Sequence, residues 1–104
     1  MTDLEPHVTN NPDKSRFEVY LGDELAGFAE YRRNGDSVSF THTEVAEQFE
    51  GKGLAGRLAR AALDDARTEG LAVLPNCPYI ASWIAKHPEY VDLVPESQRA
   101  RFDL

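Results

Sequence analysis

The chain has 104 residues, 41% of them hydrophobic and 28% charged, which bounds it to one globular domain around a single core. No apolar run approaches the ~20 residues of a membrane-spanning helix, and the opening residues show neither a basic start nor an apolar stretch, so an intracellular, cytoplasmic protein is expected. A net charge of −7 argues against general nucleic-acid binding, and the lone Cys77 excludes an internal disulfide framework and a multi-cysteine metal knuckle.

Residues 1–15 are polar and contain the turn signal Asn10-Asn11-Pro12-Asp13, so they read as a loose N-terminal tail before a single domain over 16–104. Arg16 to Leu21 alternates, with Phe17, Val19 and Leu21 on one face and Glu18 and Tyr20 on the other, as in a half-buried strand. Gly22-Asp23-Glu24 is a tight hairpin connection. Leu25 to Arg33 is a second strand, with Ala26, Phe28 and Glu30 opposite Leu25, Gly27, Ala29 and Tyr31. Asn34-Gly35-Asp36 is a second hairpin turn, since Asn and Gly accept positive φ. Val38 to Val45 is a third strand, Phe40, His42 and Glu44 facing one way and Thr41, Thr43 and Val45 the other.

The period then changes. Leu54, Ala55, Leu58, Ala59, Ala62, Leu63 and Ala66 form the apolar stripe of an amphipathic helix, which Gly70 is placed to end. On its polar face Arg60 and Asp64 are spaced to pair. Leu71 to Leu74 is a short buried strand stopped by Pro75, and strand, helix and strand together suggest a parallel crossover. Pro78 opens a second helix carrying Ile80, Trp83, Ile84 and His87, stopped at His87-Pro88. Pro95 to Phe102 reads as one last short helix. The fold class is α+β (mixed α/β): an antiparallel meander, then helix, parallel strand and helix.

The chemistry-bearing segment is Gln48-Phe49-Glu50-Gly51-Lys52-Gly53-Leu54-Ala55-Gly56, at the junction of strand and helix. A helix start offers free N–H groups and partial positive charge. Glycines let a phosphate approach the backbone, and Lys52 adds a full charge, so the segment suits a pyrophosphate. Gly51-x-Gly53-x-x-Gly56 matches the dinucleotide fingerprint in form, but no carboxylate ends the next strand at Leu74-Pro75-Asn76-Cys77. The phosphate loop of ATPases fails as well, because Gly53 stands where Ser or Thr must follow Gly51-Lys52.

Gln48-x-x-Gly51-x-Gly53-x-Ala55 resembles the acyl-CoA pyrophosphate loop of the GNAT superfamily of N-acetyltransferases. With Phe40 to Val45 before it, and Asn76-Cys77-Pro78-Tyr79 through His87-Pro88-Glu89-Tyr90 after it, the chain is similar over about residues 16–92 to a small single-domain GNAT subfamily that lacks the two N-terminal helices of larger members. The resemblance implies a minimal GNAT fold that transfers an acetyl group from acetyl-CoA to an amine by direct attack. The acceptor would be a small amine or a protein or peptide amine, with no metal, nucleic acid or membrane involved. It implies pantetheine contacts at the backbone of Val45 and at Asn76 and Cys77, and a pyrophosphate lined by Gly51, Lys52, Gly53, Leu54, Ala55 and Gly56.

Four side chains are candidates for chemistry. His42 and Glu44 could each act as general base toward the amine; the alternatives are an interior hydrogen-bonded histidine and a solvated carboxylate. Tyr79 resembles the tyrosine that protonates the leaving CoA thiolate in larger GNAT enzymes, and its phenol equally suits a wet rim of the core. Cys77 precedes a helix, where a thiolate is stabilised, so it is a CoA contact, a reactive group or a small buried residue. Trp83, Ile80, Ile84, Pro88 and Tyr90 read as structural. Two other functions compete: a CoA-binding or interaction module without turnover, and a covalent acyl carrier through Cys77. The acidic balance serves either solubility or an attraction for amines.

Overall fold

The computed structural model describes residues 5–104. One five-stranded sheet is built from β1 (Pro6–Asn11), β2 (Arg16–Leu21), β3 (Glu24–Asn34), β4 (Ser37–Val45) and β5 (Ala72–Pro75), in that spatial order. The first four strands are antiparallel neighbours, and β5 runs parallel to β4. Two helices follow β4: α1 (Leu54–Glu69), which connects β4 to β5, and α2 (Pro78–Lys86). Short 3-10 turns cover Pro12–Lys14, Glu47–Phe49, Pro88–Leu93 and Glu96–Phe102.

The meander follows its turn chemistry. Gly22 and Gly35 take φ of 61° and 60°, the left-handed geometry that tight hairpin turns require. On α1, Leu54, Leu58, Ala59, Ala62, Leu63 and Ala66 are buried, and the alanines let the helix axis lie close to the sheet. Phe40, Leu54, Leu58, Leu63, Ile80 and Ile84 are the largest fully buried side chains. Each such side chain contributes about 1.5–3 kcal/mol by leaving water. Gly70 ends α1 at φ 70°, its N–H returning to the last turn.

Three expectations are corrected. The segment read as a loose tail contains β1, which pairs with β2 from Pro6↔Leu21 to Asn11↔Arg16; residues 1–4 lie outside the described residues. As an edge strand with one face free of helices, β1 needs few apolar residues, and Val8 alone packs against the core. Arg60 and Asp64 do not pair directly. The phenol of Tyr90 stands between them, donating to Asp64 at 2.7 Å and accepting from Arg60 at 3.3 Å.

The third correction concerns alternation. In β4, Tyr31 pairs Phe40 and Glu30 pairs His42, so Thr41 is an extra, bulged residue. Phe40 faces the helices and is buried, whereas His42 and Glu44 stand exposed on the opposite face, with His42 beside Phe28 at 6.1 Å. Phe40, His42 and Glu44 therefore do not share a face. A second irregularity, at Val19/Tyr20, leaves Ala26 without a partner, so Ala26 is buried while Leu25 is exposed.

On the helix-free face, Glu18 is only 4% exposed. It accepts hydrogen bonds from Arg16 at 2.8 Å, Tyr20 at 3.0 Å and Asn11 at 3.2 Å. Burial works to raise its pKa, but these donors outweigh burial and hold the carboxyl below its ordinary value of 4.5. The stability this gives is fully present above that ordinary value and is lost as pH falls through the folded-state value. In thermal melts below pH 5, the parent should lose stability more steeply than Glu18→Gln, which starts lower at pH 7. Equal slopes would remove Glu18 from the acid response.

Gly27 faces the end of β4. A Cβ there would stand 2.6 Å from the Glu44 carbonyl oxygen and 3.0 Å from Val45 Cγ2. Gly27→Ala should therefore cost about 1–3 kcal/mol in denaturant unfolding, through forced displacement of β4.

Candidate active site

The ladder between β4 and β5 is short. It runs from Ser37↔Ala72 to Phe40↔Pro75 and stops. Cys77 N–H then donates to the Phe40 carbonyl at 2.7 Å, and the chain turns into α2. Beyond the bulge, from His42 to Val45, β4 keeps its pairing to β3 but has no strand on its other edge. Such an edge presents backbone groups in need of partners.

The N-terminus of α1 stands at that edge. Gly51 and Gly53 have φ of 84° and 73°, and a Cβ at either would project into open space. No side chain caps the helix at Gly53. The first N–H groups of α1 have no acceptor within the helix and carry its positive dipole end. Together the edge and the loop enclose a cavity of about 290 Å³. Of the residues named from sequence, Val45, Gly51, Gly53, Leu54, Ala55, Gly56 and Tyr79 line it. Lys52 is exposed beside it and does not line it.

Thr43, Phe49 and Glu50 also line the cavity, beyond the contacts that the resemblance implies. Thr43 was findable, because it precedes Val45 by one strand period and so shares its face. Phe49 lies in a 3-10 turn that the glycine spacing does not announce.

Cys77 is 4% exposed, with Sγ 3.4 Å from Thr43 Oγ1, at the point where β4 and β5 part. Tyr79, with Leu25 one of two exposed large hydrophobic residues among those described, reaches from the first turn of α2 into the cavity. Burial, and then the neighbouring Cys77, push its phenol above the ordinary tyrosine value. Asn76 does not turn toward the cavity. Its amide donates to Ser39 Oγ at 2.5 Å and accepts from Arg101 at 3.1 Å, which holds it against the C-terminal 3-10 segment. His42 Nε2 and Glu44 Oε1 lie 3.1 Å apart, on the face of β4 away from Thr43 and Val45. Val45 and the five loop residues Gly51, Gly53, Leu54, Ala55 and Gly56 are thus brought together with Tyr79, Cys77 borders them, and His42, Glu44 and Asn76 stand apart.

Comparison with known proteins gives this geometry a family. A model for the GCN5-related N-acetyl-transferase family matches residues 16–93. Protein NATD1 of Xenopus tropicalis is 38% identical over 52 residues, 50% of this chain and 48% of that protein. Human NATD1 is 39% identical over 51 residues, 49% of this chain and 45% of that protein. The match thus spans about half the length of these curated relatives. In fold, the chain resembles a GCN5-like protein from Staphylococcus aureus, with a TM-score of 0.67 at 21% identity over 91% of each chain. A lesser likeness is to Ard1 from Thermoplasma volcanium, with a TM-score of 0.51 at 18% identity over 57% of this chain and 40% of that one. Matched from the start of β2 to the turn that follows α2, the chain belongs to the GCN5-related N-acetyltransferase family.

Proposed function

We propose that the protein transfers an acetyl group from acetyl-CoA to an amine by direct attack, without a covalent enzyme intermediate. The observation that carries this reading is the cavity at the unpartnered edge of β4, closed on its other side by the glycine loop and the free N-terminus of α1. A pyrophosphate fits against Gly51, Gly53 and the N–H groups of Leu54, Ala55 and Gly56, where no Cβ intervenes and positive charge is already placed. Pantetheine amides would pair with the β4 backbone near Thr43 and Val45, as an added strand pairs with a sheet edge.

The acyl carbon then lies where β4 and β5 part, near Thr43, Cys77 and Tyr79. The neutral amine attacks the thioester carbonyl; the new N–C bond forms and the C–S bond breaks. In this scheme the amine approaches from the face of β4 opposite the glycine loop, and its proton passes to His42 or Glu44, which share a hydrogen bond on that face. The departing thiolate takes a proton from the phenol of Tyr79, which lines the cavity. Cys77, buried and bonded to Thr43, is a wall of the site in this scheme. The acidic charge of the chain favours an amine partner.

Two measurements test the scheme. Gly53→Val puts a branched side chain into the proposed phosphate cradle, so CoA affinity by isothermal titration should fall at least tenfold, or about 1.4 kcal/mol. Unchanged affinity in a folded variant would take the loop out of the site. Cys77→Ala should reduce acetyl transfer only a few-fold. Complete loss of turnover, with an acyl adduct on Cys77 formed and consumed at the turnover rate, would replace direct attack with a relay.

A further inference from the structure

A second recess, of about 500 Å³, lies along the C-terminal half of β3, beside the face of the sheet that carries His42 and Glu44. Lys14, Glu30, Arg32, Arg33 and Thr41 are among its lining residues. It adjoins the pair proposed as general base on two sides. Thr41 is the chain neighbour of His42, and Glu30 is its cross-strand partner on β3. Glu30 and Arg32 alternate with the core-facing Ala29 and Tyr31, so their side chains stand on the face away from the helices.

The charge of this recess runs against that of the chain. Three cations meet one carboxylate there, in a protein with a net charge of −7. Arg33 lies on the helix side of β3, opposite the buried Val38 and drawn toward Glu69 of α1 at 3.6 Å, which leaves Lys14 and Arg32 as the cations free to face a ligand. Among the described residues, Lys14 and Arg32 enter no ion pair. At the other end of the same surface, Glu44 and His42 offer an acceptor site for an ammonium or amine. Two residues along β3, from Glu30 beside His42 to Arg32, correspond to about 7 Å. An extended dipeptide spans about the same length between its amine and its terminal carboxylate.

We infer that this recess is a carboxylate subsite for the acyl acceptor, which is a compact zwitterion of dipeptide size with its amine at His42 and Glu44. The inference rests on the acetyl-transfer reading for the role of the amine end. The planar fork of Arg32 suits a carboxylate, which it can hold through two parallel hydrogen bonds, and Lys14 adds an adjustable point charge. A monoamine without an anionic group leaves both cations unused and is a poor acceptor.

The test uses the full chain, labelled with nitrogen-15 and saturated with CoA. Glycylglycine should shift the amide signals of Lys14, Arg32, Thr41 and His42, and glycylglycinamide should bind at least tenfold more weakly. Arg32→Gln and Lys14→Gln, both at exposed positions, should each narrow that difference while CoA still shifts the Gly51–Gly56 signals. In the transfer assay with acetyl-CoA, Arg32→Gln should raise KM for glycylglycine toward that of the amide and leave KM for acetyl-CoA unchanged. Equal binding of the two dipeptides, or shifts elsewhere, overturns the carboxylate subsite whatever the transfer assay gives. Selective binding at the recess, with neither dipeptide acetylated, retains the carboxylate site and overturns the acetyl-transfer reading instead.

Discussion

The site depends on where β4 and β5 stop pairing. Proline has no N–H to donate, and the chain places Pro75 at the last rung and Pro78 at the first helical position. Between them, the Cys77 N–H is spent on Phe40, which ties the start of α2 to the last paired residue of β4. Extending β5 along Thr41–Val45 would need N–H donors that this sequence does not supply in that place. The edge of β4 is left open by composition, and the N-terminus of α1 is delivered beside it by the Gly51–Gly53 turn.

The bulge at Thr41 sets the other half of the arrangement. A one-residue insertion reverses the faces of every residue beyond it. Without it, His42 and Glu44 would continue the buried row of Phe40 and face α1. With it, Thr43 and Val45 take the helix side and line the cavity, and the histidine and carboxylate move to the solvated face. The Gly27 backbone accommodates this end of β4, because its missing Cβ leaves room for the Glu44 carbonyl.

The sequence made some of this legible and hid the rest for identifiable reasons. Both hairpins, both helices and β5 are marked by glycine, proline or an apolar stripe, and each lies where those signals put it. The bulge leaves no mark, because Thr41-His42-Thr43-Glu44 is polar on both faces and no apolar alternation is broken. β1 is hidden for a related reason: Pro6-His7-Val8-Thr9-Asn10-Asn11 is an edge strand whose side chains are mostly solvated. The turn into α1 was readable because Gly51 and Gly53 announce the positive φ that it takes. The direction of Asn76 was not, since its partners Ser39 and Arg101 are remote in sequence.

A cavity between two helix starts also requires that the helices hold a fixed distance. The contact that does this lies away from the cavity. Tyr90 is 5% exposed and bridges Arg60 and Asp64 of α1, while Arg67 grips Asp92 through two bonds of 2.9 and 3.0 Å and reaches the Glu89 carbonyl at 2.9 Å. The segment after α2 is thereby fastened along the solvent flank of α1. Trp83 continues the contact inward, tilted against Tyr90 at 5.1 Å and stacked on His87 at 3.8 Å. Its indole nitrogen, like the Tyr79 hydroxyl, lies directly over Gly56, at 3.6 and 3.8 Å from where a Cβ would stand. The surface pairs alone are worth little in water. Joined to a buried aromatic stack they fix one packing of α2 on α1, so that Tyr79, the glycine loop and the open strand edge face a single cavity.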